Sequence, residues 1–238
     1  MALPPKPAKS AQTIVGPSNF ARAFGVSRET MALFETYAGL LERWQPAVNL
    51  VASSTLDDVW SRHFADSAQL WRLGQGARSW LDLGAGAGFP GLVIALLSQD
   101  KARDADGPAP GAKLEKVTLI ESDQRKCAFM RDVVRQTGLA NVVDIVAERI
   151  ETAANAGKGA GADVISARAL APMDRLLALA EPFFAEGTRG IFPKGRDVAS
   201  ELETARVAWA FDAELVQSVT ADDARIVLIR GLGRKPEG

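Results

Sequence analysis

Asp82-Leu83-Gly84-Ala85-Gly86-Ala87-Gly88-Phe89-Pro90-Gly91 is the stretch that decides the reading of this chain. Ser79 to Leu83 in front of it is short and apolar enough for a buried strand. Three glycines at alternate positions allow a tight turn and a close approach of backbone to a bound molecule. Pro90 suits the first position of a helix, expected over 90–98. Strand, glycine loop and helix in this order form the crevice in which open α/β sheets hold nucleotides.

Outward from this unit, short apolar runs alternate with amphipathic stretches. Strands are expected at 79–83, 116–121, 142–147, 163–167, 189–193, 213–218 and 225–230. Helices are expected at about 90–98, 123–137, 149–156, 171–185 and 197–210. The alternation implies an α/β fold with a mainly parallel sheet covered on both faces. Val219 to Ala224 is too short for a crossover, so the last two strands read as an antiparallel hairpin at the sheet edge. Seven strands ending in this way resemble a class I, Rossmann-like methyltransferase domain, here 74–238. Residues 20–73 read as an N-terminal helical cap. Ser27 is its first N-cap, and a second helix starts near Thr55 with His63 on its apolar face. Residues 1–19, broken by Pro4, Pro5, Pro7 and Pro17, read as a flexible tail. Asp100 to Lys113 and Gly157 to Gly161 read as surface loops.

The loop's glycine spacing separates two ligand classes. A dinucleotide site reads G-x-G-x-x-G, whose last glycine lets a helix approach a pyrophosphate. Counted from Gly84, that sixth position is Phe89. S-adenosylmethionine has no phosphate and no need of that glycine. Asp82 suits an acid near the positive end of such a ligand. A tight turn with no ligand is the bland alternative. Glu121, at the end of the second strand, is placed to accept hydrogen bonds from two ribose hydroxyls. Ile150 and Glu151 follow the third strand, where an adenine is edged by packing and by a hydrogen bond. Arg168 ends the fourth strand, where a reacting group would lie; a rim ion pair is the alternative.

Bulk properties exclude other classes. The chain has 238 residues, 47% hydrophobic and 24% charged, as expected of a globular protein that builds its own core. Leu92 to Leu97 is far short of the ~20 apolar residues of a membrane helix. The opening Met1 to Ser10 has no apolar signal-peptide core, and the single cysteine fits a cytosolic location. A net charge of −1 argues against indiscriminate nucleic-acid binding while permitting a local basic patch. No zinc-type Cys/His cluster occurs, so no metal is expected. Cys127, in step with Met130 and Val134, reads as packing, which disfavours chemistry through an attacking thiolate.

Several segments taken in order resemble one family. They are Asn49-Leu50; Arg62-His63-x-x-Asp66-Ser67; the loop ending Phe89-Pro90-Gly91; Glu121-Ser122 with Lys126 and Phe129; Arg168-Ala169; and Lys194-Gly195. The chain from about residue 28 onward is similar to the bacterial 16S rRNA guanine-N7 methyltransferases, the glucose-inhibited division protein B family. The resemblance implies S-adenosylmethionine as methyl donor and S-adenosylhomocysteine as product. It implies cofactor contacts from Gly84, Phe89, Ile150, Glu151 and Arg168, to which the glycine loop adds Gly86 and the end of the second strand adds Glu121. It also implies a partner, 16S rRNA or the small ribosomal subunit, with the target guanosine in the decoding-region 530 loop. No obligate protein partner is evident, and a monomer is expected. The insertion at 100–113 departs from the family pattern.

Guanine N7 has an exposed lone pair and no proton, so direct attack on a methyl donor needs neither base nor covalent nucleophile. Alignment of the two reactants does most of the work. Arg168 and Lys194 are the candidates for assisting it. Arg62, His63, Lys194 and Arg196 are candidates for RNA contact, set against packing for His63 and solvated charge for the basic pair. A small-molecule methyltransferase, with the helical cap as a lid, is the rival enzyme reading. A cofactor-binding scaffold without activity is the other.

Overall fold

Ser79–Leu83 (β1) is a central strand of the computed structural model, which describes residues 14–100 and 113–236. Lys116–Ile120 (β2), Val143–Val146 (β3), Val164–Ser166 (β4), Arg189–Lys194 (β5), Trp209–Gln217 (β6) and Arg225–Arg234 (β7) complete a seven-stranded sheet. Its order is β3-β2-β1-β4-β5-β7-β6. The first five strands are parallel, and β7 runs antiparallel between β5 and β6. The order reverses between β1 and β4, which opens a crevice at the carboxyl ends of the strands.

Both faces of the sheet are covered. On one side lie Pro17–Phe24 (α1), Arg28–Trp44 (α2), Gly91–Ser98 (α3) and Gln124–Thr137 (α4). On the other lie Ile150–Asn155 (α5), Met173–Ala180 (α6) and Val198–Ala208 (α7). Each face has its own apolar cluster. The helix α3 is buried all round from Gly91 to Leu97, because it lies between the sheet and the N-terminal helices. Ser27 caps α2 by accepting from the Thr30 amide, and Asp123 caps α4 by accepting from Arg125 and Lys126.

The sequence expectations need correction at several boundaries. Pro17 opens α1 rather than breaking structure, because a proline has no N–H to lose in the first turn. The flexible-tail expectation for 1–19 therefore fails at its end, and residues 1–13 lie outside the described residues. The second N-terminal helix is a π-helical turn, Trp60–Ala65, continued by Asp66–Ala68 and Leu70–Leu73; near Thr55 there is only a 3-10 turn, Ser53–Thr55. The helix after the glycine loop begins at Gly91, with Pro90 as its cap. The helix expected over 171–185 is α6 followed by a 3-10 turn, Glu181–Phe183. That expected to 210 stops at Ala208, because Trp209 and Phe211 bury in strand alternation and start β6 early. Most of the 100–113 insertion also lies outside the described residues.

Phe20 shows why α1 belongs to the core. It is fully buried, with ring centroids of Phe24 and Phe34 at 5.0 Å and of Trp60 at 5.5 Å. Phe20→Ala is expected to lower unfolding free energy by about 3–5 kcal/mol, read from the denaturant midpoint. A loss below about 1 kcal/mol would show that α1 is not docked.

Candidate functional site

The glycine loop is held from three directions. Asp82 is fully enclosed; its Oδ2 accepts from the Gly91 amide (2.9 Å) and its Oδ1 from the Ser166 hydroxyl (2.8 Å), which in turn accepts from the Trp80 indole. Burial pushes Asp82 up to about 7, against the lowering effect of the Ser166 and Gly91 hydrogen bonds. Asp82 is thus a strut under α3, and not the ligand-facing acid expected from the sequence, because its side chain points into the protein. Glu121 reaches across from β2, accepting from the Gly86 amide at 2.8 Å and the Asp123 amide at 2.8 Å. Tyr37 of α2 donates its hydroxyl to the Ala87 carbonyl and stacks on Phe89 at 5.2 Å.

The turn itself requires glycine. Gly84 and Gly88 have φ of 65° and 88°. A Cβ on Gly84 would lie 2.7 Å from a Leu170 methyl, and one on Gly88 2.3 Å from Leu92. Gly86 also has positive φ, but nothing beyond its own loop lies near a Cβ there. Its open side faces the cleft.

A cleft of about 1190 Å³ opens above the loop. Small-molecule pockets typically hold roughly 300–1,000 Å³, so this one has room for a cofactor and a second group. Gly84, Gly86, Phe89, Glu121, Ile150, Glu151 and Arg168 all line it, as do Arg62, His63, Lys194 and Arg196. Ile150 is buried and presents an apolar wall; Glu151 is exposed. An acid on the β2 end, an apolar side chain after β3 and a cradle of positive-φ glycines fit an adenosine-bearing ligand.

Arg168 follows β4 and turns toward the N-terminal segment. Its Nη1 donates to the Arg62 carbonyl (2.9 Å), its Nη2 to His63 Nδ1 (2.8 Å), and Asp66 Oδ2 lies 3.8 Å away. The guanidinium sits 5.2 Å from the Phe89 ring centroid. Burial draws its pKa down, opposed by Asp66. The next residue, Ala169, has φ of 53°, a costly left-handed turn for a side chain with a Cβ.

An arginine only donates, so His63 Nδ1 must accept. Nε2 then carries the proton and donates to Thr55 Oγ1 (2.8 Å), whose own proton goes to the Ala52 carbonyl (2.7 Å). Burial, with Arg168 and Arg62 nearby, lowers the His63 pKa to about 3. His63 is 7% exposed with both ring nitrogens engaged, so the structure gives it the packing role weighed for it and leaves no free nitrogen for RNA.

Lys194 is likewise engaged. Its ammonium donates to the Ala171 carbonyl (2.7 Å) and to Glu201 (2.7 Å), which also accepts from the Met173 amide (2.8 Å). It braces α6 against α7 rather than presenting a free charge. Arg196 is exposed, 3.8 Å from Asp223. Arg62 is exposed on the cleft rim, as is Arg175, which sequence reasoning missed. Tyr37, Thr55 and Asp66 were not singled out as site residues either. The signal available for Tyr37 was that it is the chain's one tyrosine and lies three residues after Phe34. Cys127 is fully buried and donates to the Glu121 carbonyl, so it packs as expected.

Sheet order, glycine loop and cleft define a Rossmann-like methyltransferase fold. Solved structures agree. An O-methyltransferase from Bacillus cereus in complex with SAH has a TM-score of 0.53 at 14% identity, over 82% of this chain and 90% of that one. The O-methyltransferase TomG from Streptomyces achromogenes, in complex with SAM, has a TM-score of 0.52 at 12% identity, over 90% and 94%. The family model described as rRNA small subunit methyltransferase G matches residues 30–228, and the chain belongs to that family. Relatives named ribosomal RNA small subunit methyltransferase G include one from Parvibaculum lavamentivorans, 45% identical over 94% of this chain and 93% of its own. One from Rhodospirillum centenum is 48% identical over 85% of each.

The depressed value of His63 has a measurable consequence. An unfolded histidine binds its proton near pH 6.5, whereas folded His63 resists it down to about 3. The unfolded chain therefore takes up that proton first, and stability falls as pH drops from about 6.5 toward 3. His63→Gln is expected to lose less stability than wild type between pH 7.5 and pH 5 in denaturant titrations. Equal losses would contradict the neutral, enclosed imidazole.

Proposed function

We propose that this protein transfers a methyl group from S-adenosylmethionine to N7 of a guanosine in the 530 loop of 16S rRNA, acting in the cytoplasm as a monomer. The observation that carries the reading is the joining, in one cleft, of the glycine cradle with Glu121 and an enclosed Arg168. Family membership supplies the ribosomal RNA substrate class. Glu121 would take the ribose hydroxyls, Ile150 would pack the adenine and Glu151 would hydrogen-bond it, with Gly84, Gly86 and Phe89 forming the floor. The cofactor, when bound, supplies a methyl group on a sulfonium whose sulfur keeps the electron pair of the broken bond.

N7 brings its own lone pair and loses no proton. The chain's residues therefore need only to hold the base, exclude water and stabilise charge. Arg168 is fixed beside the loop by Phe89, His63 and the Arg62 carbonyl, and is the group placed to meet the purine. Lys194 supports the wall carrying Arg175, so its effect is on shape. Arg62, Arg175 and Arg196 at the rim are suited to phosphates.

Radiolabelled methyl donor and small subunits from cells lacking this protein provide the test, with N7-methylguanine mapped by strand scission. Label is expected at a single guanine of that loop, and is expected to vanish with Gly84→Asp, whose side chain would meet Leu170. Unlabelled RNA despite cofactor binding would sink the assignment and favour a small-molecule substrate.

A further inference from the structure

The segment Arg62-His63-x-x-Asp66 lies on the π-helical turn and its continuation, and two of its side chains face Arg168. His63 and the Arg62 carbonyl account for one edge of that guanidinium. Asp66 is left over. Its Oδ1 accepts from Gln69 Nε2 (2.9 Å) and from the Thr220 hydroxyl (2.9 Å), which fills its lone pairs. Its Oδ2 has only the Arg168 nitrogen at 3.8 Å, beyond hydrogen-bond reach. Asp66 lines the cleft and keeps 21% of its side chain exposed.

Of the other cleft carboxylates, Glu151 and Asp223 are exposed, and three have hydrogen-bond partners within the protein. Glu121 accepts from two backbone amides, Glu148 pairs with Lys158 at 2.6 Å, and Glu201 holds Lys194. Asp66 Oδ2 is therefore an open acceptor, fixed in place, beside a fixed donor. Guanine offers the complement on its Watson–Crick edge: O6 accepts, and N1–H next to it donates. Alkylation at N7 makes the purine cationic and N1–H a stronger donor. An acceptor there binds the product-like charge better than the ground state, which is the condition for lowering a barrier.

We propose that Asp66 Oδ2 accepts the N1–H of the target guanine while Arg168 donates to its O6. The pair selects guanine, and the Asp66 carboxylate stabilises the positive charge that N7 attack creates. This rests on the N7-methyltransferase reading above and names how that site reads its base.

Gln69 makes the test sharp. Its Oε1 accepts from the Val219 amide at 2.9 Å, which fixes Nε2 as the donor toward residue 66. Asp66→Asn must then keep its oxygen toward Gln69 and turn its NH₂ to the cleft. That NH₂ opposes the N1–H of guanine and suits the bare N1 of 2-aminopurine. Small subunits are reconstituted with guanosine, inosine or 2-aminopurine at the target position, and kcat/KM is measured for wild type and Asp66→Asn. Inosine keeps O6 and N1–H; 2-aminopurine lacks both and retains N7.

For wild type, inosine is expected to react nearly as well as guanosine and 2-aminopurine at least about fivefold less well. Asp66→Asn is expected to shrink the guanosine to 2-aminopurine ratio by about 5- to 150-fold, the range of one lost base-edge contact. An unchanged ratio, whatever the absolute rates, would show that Asp66 only holds Gln69 and Thr220, and would overturn the proposal. Wild type treating guanosine and 2-aminopurine alike would overturn it without recourse to any variant. Wild type that methylates guanosine at no measurable rate would bring down the N7 reading itself, and this assignment with it.

Discussion

A guanidinium taken out of water must find acceptors, and the site is arranged around one that has. Arg168 ends a short parallel strand and is anchored by groups about a hundred residues earlier in the chain: the Arg62 carbonyl, His63 Nδ1 and Asp66. Burying a charge without such partners costs several kcal/mol, so the segment 60–69 and the end of β4 are fixed relative to each other. The same guanidinium lies over Phe89, which Tyr37 supports from below. One largely enclosed charge thereby couples the glycine loop, the N-terminal helices and the carboxyl ends of the strands.

The coupling extends to the far rim. Gln69 and Asp66 bind Ser218, Val219 and Thr220 between β6 and β7. The N-terminal helices share one apolar cluster with α3 and α4. They are a wall of the site in packing and in hydrogen bonding. A preorganised wall suits the proposed N7 transfer, in which no proton moves and alignment and fixed dipoles are what remain for the protein to provide.

Much of this was legible in the residues. The order of strands and helices could be read because each carries its own period and its own terminators, as Ser27 shows for α2. Gly84 to Gly88 declared a tight turn because glycine there answers a backbone need that other residues meet only under strain. Pro17 misled because a helix breaker and a first-turn residue look alike from sequence. Trp209 was drawn into a helix because its burial depends on a neighbouring strand. The roles of Asp82 and Lys194 were illegible for a related reason, and for His63 packing was the favoured reading but its partners were not readable. Each carries a reactive-looking group whose partners, Gly91 and Ser166, Glu201 and Ala171, Arg168 and Thr55, are set by tertiary contact and not by spacing. Asp66 stood in a recognisable motif, but only its geometry separates its filled oxygen from its open one.

The central claim is that Arg168 ties the N-terminal segment to the glycine loop. Hydrogen–deuterium exchange on Arg168→Lys tests it most directly, because lysine keeps the charge but cannot donate along the same planar edge. The account predicts faster exchange at amides in both 60–69 and 84–92, with β3 and α4 unchanged. A change confined to 168–170 would contradict it, showing that loop and segment are held independently of the guanidinium.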